Sequence, residues 1–143
     1  MLVNNRWVRA TGDLQQKPIS IQYREDWSMA KETDQYPICV QIAWYAHGID
    51  DSSGFPSADE QAQILVFHER LQAELEHDET ALVAMVIAHS GVNQWIIYAS
   101  DVSQVEAGLN RIPTEQGLYP IEVVADTDHD WKTFTQVFQA IQQ

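Results

Sequence analysis

Basic residues are scarce in this chain. Eight Lys and Arg stand against twenty-one Asp and Glu among 143 residues, for a formal net charge of −13. Binding nucleic acid through its phosphates needs clustered cations, and these eight form no cluster, so nucleic acid is not an expected partner. An anionic membrane surface is disfavoured for the same reason. No apolar run approaches the ~20 residues that span a bilayer. Cysteine is almost absent: Cys39 alone cannot close an internal disulfide. Met1-Leu-Val-Asn-Asn-Arg-Trp7 lacks a basic stretch followed by a long apolar one, so a cytoplasmic location is expected. Glycine is sparse and nowhere forms a phosphate-cradling loop, and no histidine falls in an HExxH or CxxC context. No cofactor and no metal is therefore expected.

What is present is an ordinary globular composition, 45% hydrophobic and 20% charged, at a length suited to one domain, 1–143. The charge is uneven. Residues 1–31 hold Arg6, Arg9, Lys17, Arg24 and Lys31, whereas residues 50–79 hold nine acids against Arg70 alone. A field of this strength can steer a basic protein partner, and it also simply keeps a chain in solution.

Val83–Asp101 is the apolar centre. It reads as two strands, about 80–88 and 92–99, joined at Ser90-Gly91, the first apolar on both faces and so covered on both sides. In the second, Ile96 and Tyr98 share one face, Trp95 and Ile97 the other. Earlier, residues 5–24 read as a β-hairpin with a loop at 11–18, and Ile19, Ile21 and Tyr23 alternate with Ser20, Gln22 and Arg24 as a half-buried strand. In residues 25–35, Trp27 and Met29 are the expected core anchors. Residues 36–45 form a strand with Ile38, Val40, Ile42 and Trp44 on one face and Cys39, Gln41, Ala43 and Tyr45 on the other. Ser57-Ala-Asp-Glu60 is a capping box that starts a helix running to about His77, with Ile64, Phe67, His68, Leu71 and Leu75 as its apolar stripe and an acidic face opposite. Asp101 can cap a second helix bearing Val102, Val105, Leu109 and Ile112. A last strand covers 118–125, and a final helix, about 129–142, carries Trp131, Phe134, Phe138 and Ile141. From residue 36 to 125 the order is β-α-β-β-α-β. The expected fold is α+β: a ferredoxin-like split βαβ sandwich with an N-terminal β-hairpin and an extra C-terminal helix.

Few residues suggest chemistry. Asp126-x-Asp128-x-Asp130 offers hard oxygen ligands, but Trp131 and Val137 stand where a calcium loop needs Gly and Glu, so a helix cap by Asp128 or Asp130 is the better reading. The 47–53 loop puts His47 near Asp50, Asp51, Ser52 and Ser53 without the strand-turn-helix elbow of a serine nucleophile. His68 lies on an apolar stripe and should be a hydrogen-bonded, partly buried histidine. Cys39 should be an inert buried thiol. No catalytic residue can be named.

Several elements together carry a resemblance: Trp7, the strand at 18–23, Gly91-Val-Asn-Gln-Trp-Ile-Ile-Tyr-Ala-Ser-Asp101, and Asp128-His-Asp-Trp131. The chain resembles the bacterial domain family of unknown function 695 (DUF695) over most of residues 5–138. In such sequences the position after Gly91 and Val92 often carries Arg, which Asn93-Gln94 replace here. The family implies no activity. In acidity, topology and the late Asp-Trp element the chain is more distantly similar to the ribonuclease E activity regulator B family, which implies a protein that binds another protein. The expectation is thus a non-enzymatic domain acting through protein contacts, with a homodimer through an open sheet face as one form. An acidic regulator of a basic protein, meeting it through Glu69, Glu74, Glu76, Asp128 or Asp130, is a second reading. A small enzyme using the 47–53 loop is a third.

Overall fold

A computed structural model describes residues 6–14, 17–46, 55–77, 80–89, 91–112 and 121–141. The elements in chain order are β1 (Trp7–Leu14), β2 (Lys17–Arg24), α1 (Trp27–Glu32), β3 (Ile38–Tyr45), α2 (Ala58–Glu76), β4 (Ala81–His89), β5 (Val92–Ala99), α3 (Val102–Arg111), β6 (Ile121–Thr127) and α4 (Lys132–Ile141). The fold is α+β: four helices on a six-stranded sheet of order β1-β2-β4-β5-β3-β6, antiparallel throughout. β3 and β4, which α2 connects, flank β5. The hairpin extends that core at one edge and β6 closes the other.

Alternation along β3 and β5 sorts their side chains onto two faces, as period-two strands must. Val40, Ile42, Trp44, Trp95 and Ile97 meet Ile64, Phe67, Leu71 and Leu75 of α2, Val105 of α3 and Ile112 just past its end. Cys39, Ile96 and Tyr98 lie on the other face with Tyr36, Ala30 of α1, and Trp131 and Phe134 at α4. Both faces of β4 are buried, as its unbroken apolar run requires. The alternation slips once, at a bulge between Val83 and Met85, where Ala84 and Met85 both join the α4 side. Beyond it Val86 packs against the α2 side.

Several expectations need correcting. The 11–18 segment is mostly ladder and not loop, because Gly12 pairs with Ile19 and Asp13 with Pro18. Met29 is 54% exposed; Ala30 takes its place beneath α1, and Trp27 packs on Phe134 and Phe138. Trp131 precedes α4, at φ 56°, so that its buried indole can donate to Tyr36 O. The last strand runs 121–127 and its outer residues are exposed, Val124 by 60%, since it is the sheet edge. The face expected to be open carries α1 and α4. The 47–53 loop and Tyr119 lie outside the described residues.

Candidate functional site

Two cross-strand rows lie side by side on the α2 face of the sheet. Arg9, Gln22, Val86 and Trp95 stand opposite one another across β1, β2, β4 and β5. Thr11, Ser20, Ala88 and Asn93 form the next row, which continues to Trp44. The sequence pattern assigned Ser20, Gln22 and Arg24 to a polar outer face. Instead α2 roofs that face: Arg24 is fully buried and Ser20 and Gln22 are half-buried.

Between these rows and the first half of α2 lies a cavity of about 470 Å³. Its floor is Val86, Ala88, Asn93 and Trp95; its roof is Ile64 and His68; Arg9, Thr11, Gln61 and Leu65 are exposed at its rim. Phe55 and Pro56 close the end where the chain enters α2. Gln61 Nε2 donates to Pro56 O at 2.7 Å and holds that entry.

Three polar residues of α2, spaced eight apart, set the roof over the floor. Glu60 accepts from Trp44 Nε1 at 2.7 Å. His68 Nδ1 accepts from Trp95 Nε1 at 3.0 Å, and Trp7 meets the imidazole edge-on. Glu76 takes Arg24 Nη2 on both carboxylate oxygens, at 2.6 and 2.5 Å, and also accepts from Val83 N at 3.1 Å. The Arg24 guanidinium lies over the Trp7 ring, 4.7 Å from its centroid. Burial holds the His68 imidazole below its ordinary pKa, and the nearby Arg24 cation adds to this. It is therefore neutral near pH 7, and with Nδ1 accepting from the indole its proton sits on Nε2.

A residue of the cavity floor carries an unsatisfied buried group. Asn93 is 8% exposed, and its Nδ2 has no hydrogen-bond partner. A buried amide donor left unpaired costs about 1–3 kcal/mol. Charge is the second peculiarity of the lining. Arg9 is its one charged residue, and no Asp or Glu lines it among the described residues.

The residues singled out from sequence are scattered. Glu69 is exposed on the outer face of α2. Glu74 pairs with Arg111 Nε of α3 at 2.7 Å, partly in solvent. Glu76, expected on the acidic outer face, is buried beneath α2 by its pairing with Arg24; Glu60 is buried likewise by Trp44. Asp128 caps α4, its oxygens accepting from Lys132 N and Thr133 N at 2.9 and 3.0 Å and from Tyr98 Oη at 2.8 Å. Burial raises its pKa, but these hydrogen bonds outweigh it and leave the carboxyl below its ordinary value. Asp130 is exposed beside it. Asp101 caps α3 through Ser103 N at 2.9 Å. Cys39 is buried, and desolvation pushes its thiol up to about 11, beyond nucleophilic use. Tyr98 stacks on Trp131 at 4.0 Å, which makes both core residues. His77 and His129 are exposed. No three His, Cys, Asp or Glu come together as metal ligands among the described residues.

The model of a family of unknown function, DUF695, matches residues 5–138. The chain belongs to that family. No match was found among curated proteins or among solved structures. Within DUF695 as represented by this chain, the cavity residues were not legible as a group. Arg9, Ser20, Ala88 and Asn93 sit on four strands, and only the inter-strand register brings them together. One signal was available: Asn93 interrupts an otherwise apolar face that continues through Trp95 and Ile97.

Proposed function

We propose that this chain is a small-molecule-binding domain whose site is the cavity beneath α2. The observation that carries the reading is the cavity of about 470 Å³ itself, with Asn93 on its floor and His68 in its roof. A concave, mostly apolar space with a few polar groups is the usual form of a ligand site. No nucleophile-base pair accompanies it among the described residues, so the reading is of binding and not of turnover. The test is a thermal-shift screen of a metabolite collection against the native chain and against Ala88→Leu, which fills the floor. Ligands should raise the melting temperature of the native chain and leave the filled variant unmoved. A collection that moves both alike, or neither, overturns the reading.

A protein-contact role is the second reading, supported by the outer face of α2. There Leu65, 57% exposed, and Val66 lie among Asp59 and Glu69. A basic partner would meet that face. Reversing Asp59 and Glu69 to Lys should abolish its capture; Glu76 belongs outside this test because its charge is internal. For the architecture we infer the ferredoxin-like split βαβ arrangement, supported by the order β4-β5-β3-β6 with α2 and α3 together on one face. A cytoplasmic home fits the lone buried thiol, and no described helix is long and apolar enough to cross a membrane.

A further inference from the structure

We infer that the outer edge of β6 receives one further strand: an extended segment of a basic protein partner, with two cationic residues four apart and β-branched residues between them. The inference rests on neither the cavity nor the outer face of α2. Asp128 N donates to Pro37 O, and the same register sets Asp126 opposite Cys39, Val124 opposite Gln41 and Glu122 opposite Ala43. Hydrogen-bonded and non-bonded pairs alternate along an antiparallel ladder. Those three residues of β6 therefore bond to β3, and Ile121, Val123 and Ala125 turn their N–H and C=O groups outward. Among the described residues no strand pairs with that edge. Every residue from Glu122 to Thr127 is exposed, Val123 by 45% and Val124 by 60%. β6 contains no proline, no lysine and no bulge, devices that commonly blunt an edge.

Charge names the occupant. Glu122, Val124 and Asp126 share one face of β6, and Ile121, Val123 and Ala125 share the other. Each carboxylate is steadied by a local donor: Glu122 accepts from Tyr45 Oη at 3.2 Å and Asp126 from Thr127 N at 2.8 Å. A strand laid antiparallel on β6 sets one residue opposite each acid, where a cation is favourable and a second acid is not. A second copy of this chain does not supply that pattern. In the register that pairs all of β6 with the β6 of another copy, Glu122 meets Asp126 twice. At the other edge of the sheet Arg6 and Arg9 are three apart and so fall on opposite faces. The net charge of −13 draws in a basic chain and repels another copy. Main-chain hydrogen bonds then supply affinity, and the alternate side chains supply the choice of partner.

The test titrates the full chain with end-blocked peptides to about 5 mM, enough to see a millimolar complex, while ¹H–¹⁵N NMR follows the backbone amides of β6. Lys-Val-Val-Val-Lys should shift Val123 and Ala125 and bind at least about tenfold more tightly than Glu-Val-Val-Val-Glu. Lys-Gly-Ser-Gly-Lys, of equal charge but poor strand propensity, should also bind at least about tenfold more weakly. N-methylation of the first and third valines, whose N–H groups enter the ladder opposite Ala125 and Val123, should abolish the shifts. Reversing both exposed acids, with Glu122→Lys and Asp126→Lys, should hand the preference to the glutamate peptide. Shifts that spare β6, equal binding of the two lysine peptides, or a preference unmoved by the reversal overturn the inference. So does failure of every peptide to bind. Shifts of Val123 and Ala125 that grow with protein concentration alone overturn it too, because a second copy then takes the edge.

Discussion

Asn93 brings an amide into the α2-side core without pairing its nitrogen. The folded chain bears the desolvation cost of that donor. Asn93→Leu keeps the branching, and its added bulk has the cavity to enter; it should therefore stabilise the chain by about 1–2 kcal/mol in urea unfolding, opposite to the usual sign for a buried substitution. His68 gives a residue-scale prediction in pH. Its folded pKa lies below the ordinary 6.5, so the unfolded chain takes up the proton first as pH falls. Stability is unaffected above the unfolded pKa and declines as pH drops from there toward the lower folded value. His68→Gln keeps an acceptor for Trp95 Nε1 and removes the titration. Between about pH 7 and pH 5.5 its stability should fall less steeply than that of the native chain.

At the scale of elements, α2 is a beam laid across the sheet and fastened at Glu60, His68 and Glu76. Its far fastening is a buried ion pair, where breaking is costly even when making gains little. Arg24→Met should lose roughly 3–5 kcal/mol by stranding the Glu76 carboxylate. Arg24→Met with Glu76→Gln should recover more than half of that loss, because Gln remains an acceptor for Val83 N and carries no charge; chemical denaturation of the four-member cycle measures it. Most elements were readable beforehand because their signals are local: the Ser57 cap, the Asp101 cap, and the alternation of β3 and β5. The faces of α2 were read less well. Glu60 and Glu76 look like solvent residues in sequence, and only Trp44 and Arg24, distant in the chain, make them internal. Gly108 shows the same limit. A Cβ there would lie 2.8 Å from Leu75 Cδ2, a close helix approach that nothing near residue 108 announces.

At the scale of the molecule, two cores back one sheet, one under α2 and α3 and one under α1 and α4. The second explains why Trp131, Phe134 and Phe138 follow the last strand: without them Ile96, Tyr98 and Met85 would face water. The acidity lies mostly outside these cores. A net charge of −13 repels itself more in the compact state than in the expanded one. Raising the salt from about 20 mM to about 300 mM should therefore raise the melting temperature, because screening shortens the range of that repulsion. The buried Arg24–Glu76 pair is beyond the reach of salt, so Arg24→Met should show the same salt-dependent rise.

The bulge between Val83 and Met85 has a bearing on tolerance to deletion as well as on shape. Everywhere else in these strands, losing one residue would turn every later side chain to the wrong face. At Ala84 the alternation is already broken. A chain lacking it would keep Ala81 and Val83 toward α2 and return Val86 and Ala88 to the same side, giving up only the extra twist that a bulge supplies. Ala84 is thus a place where the strand can lose a residue without rewriting its core.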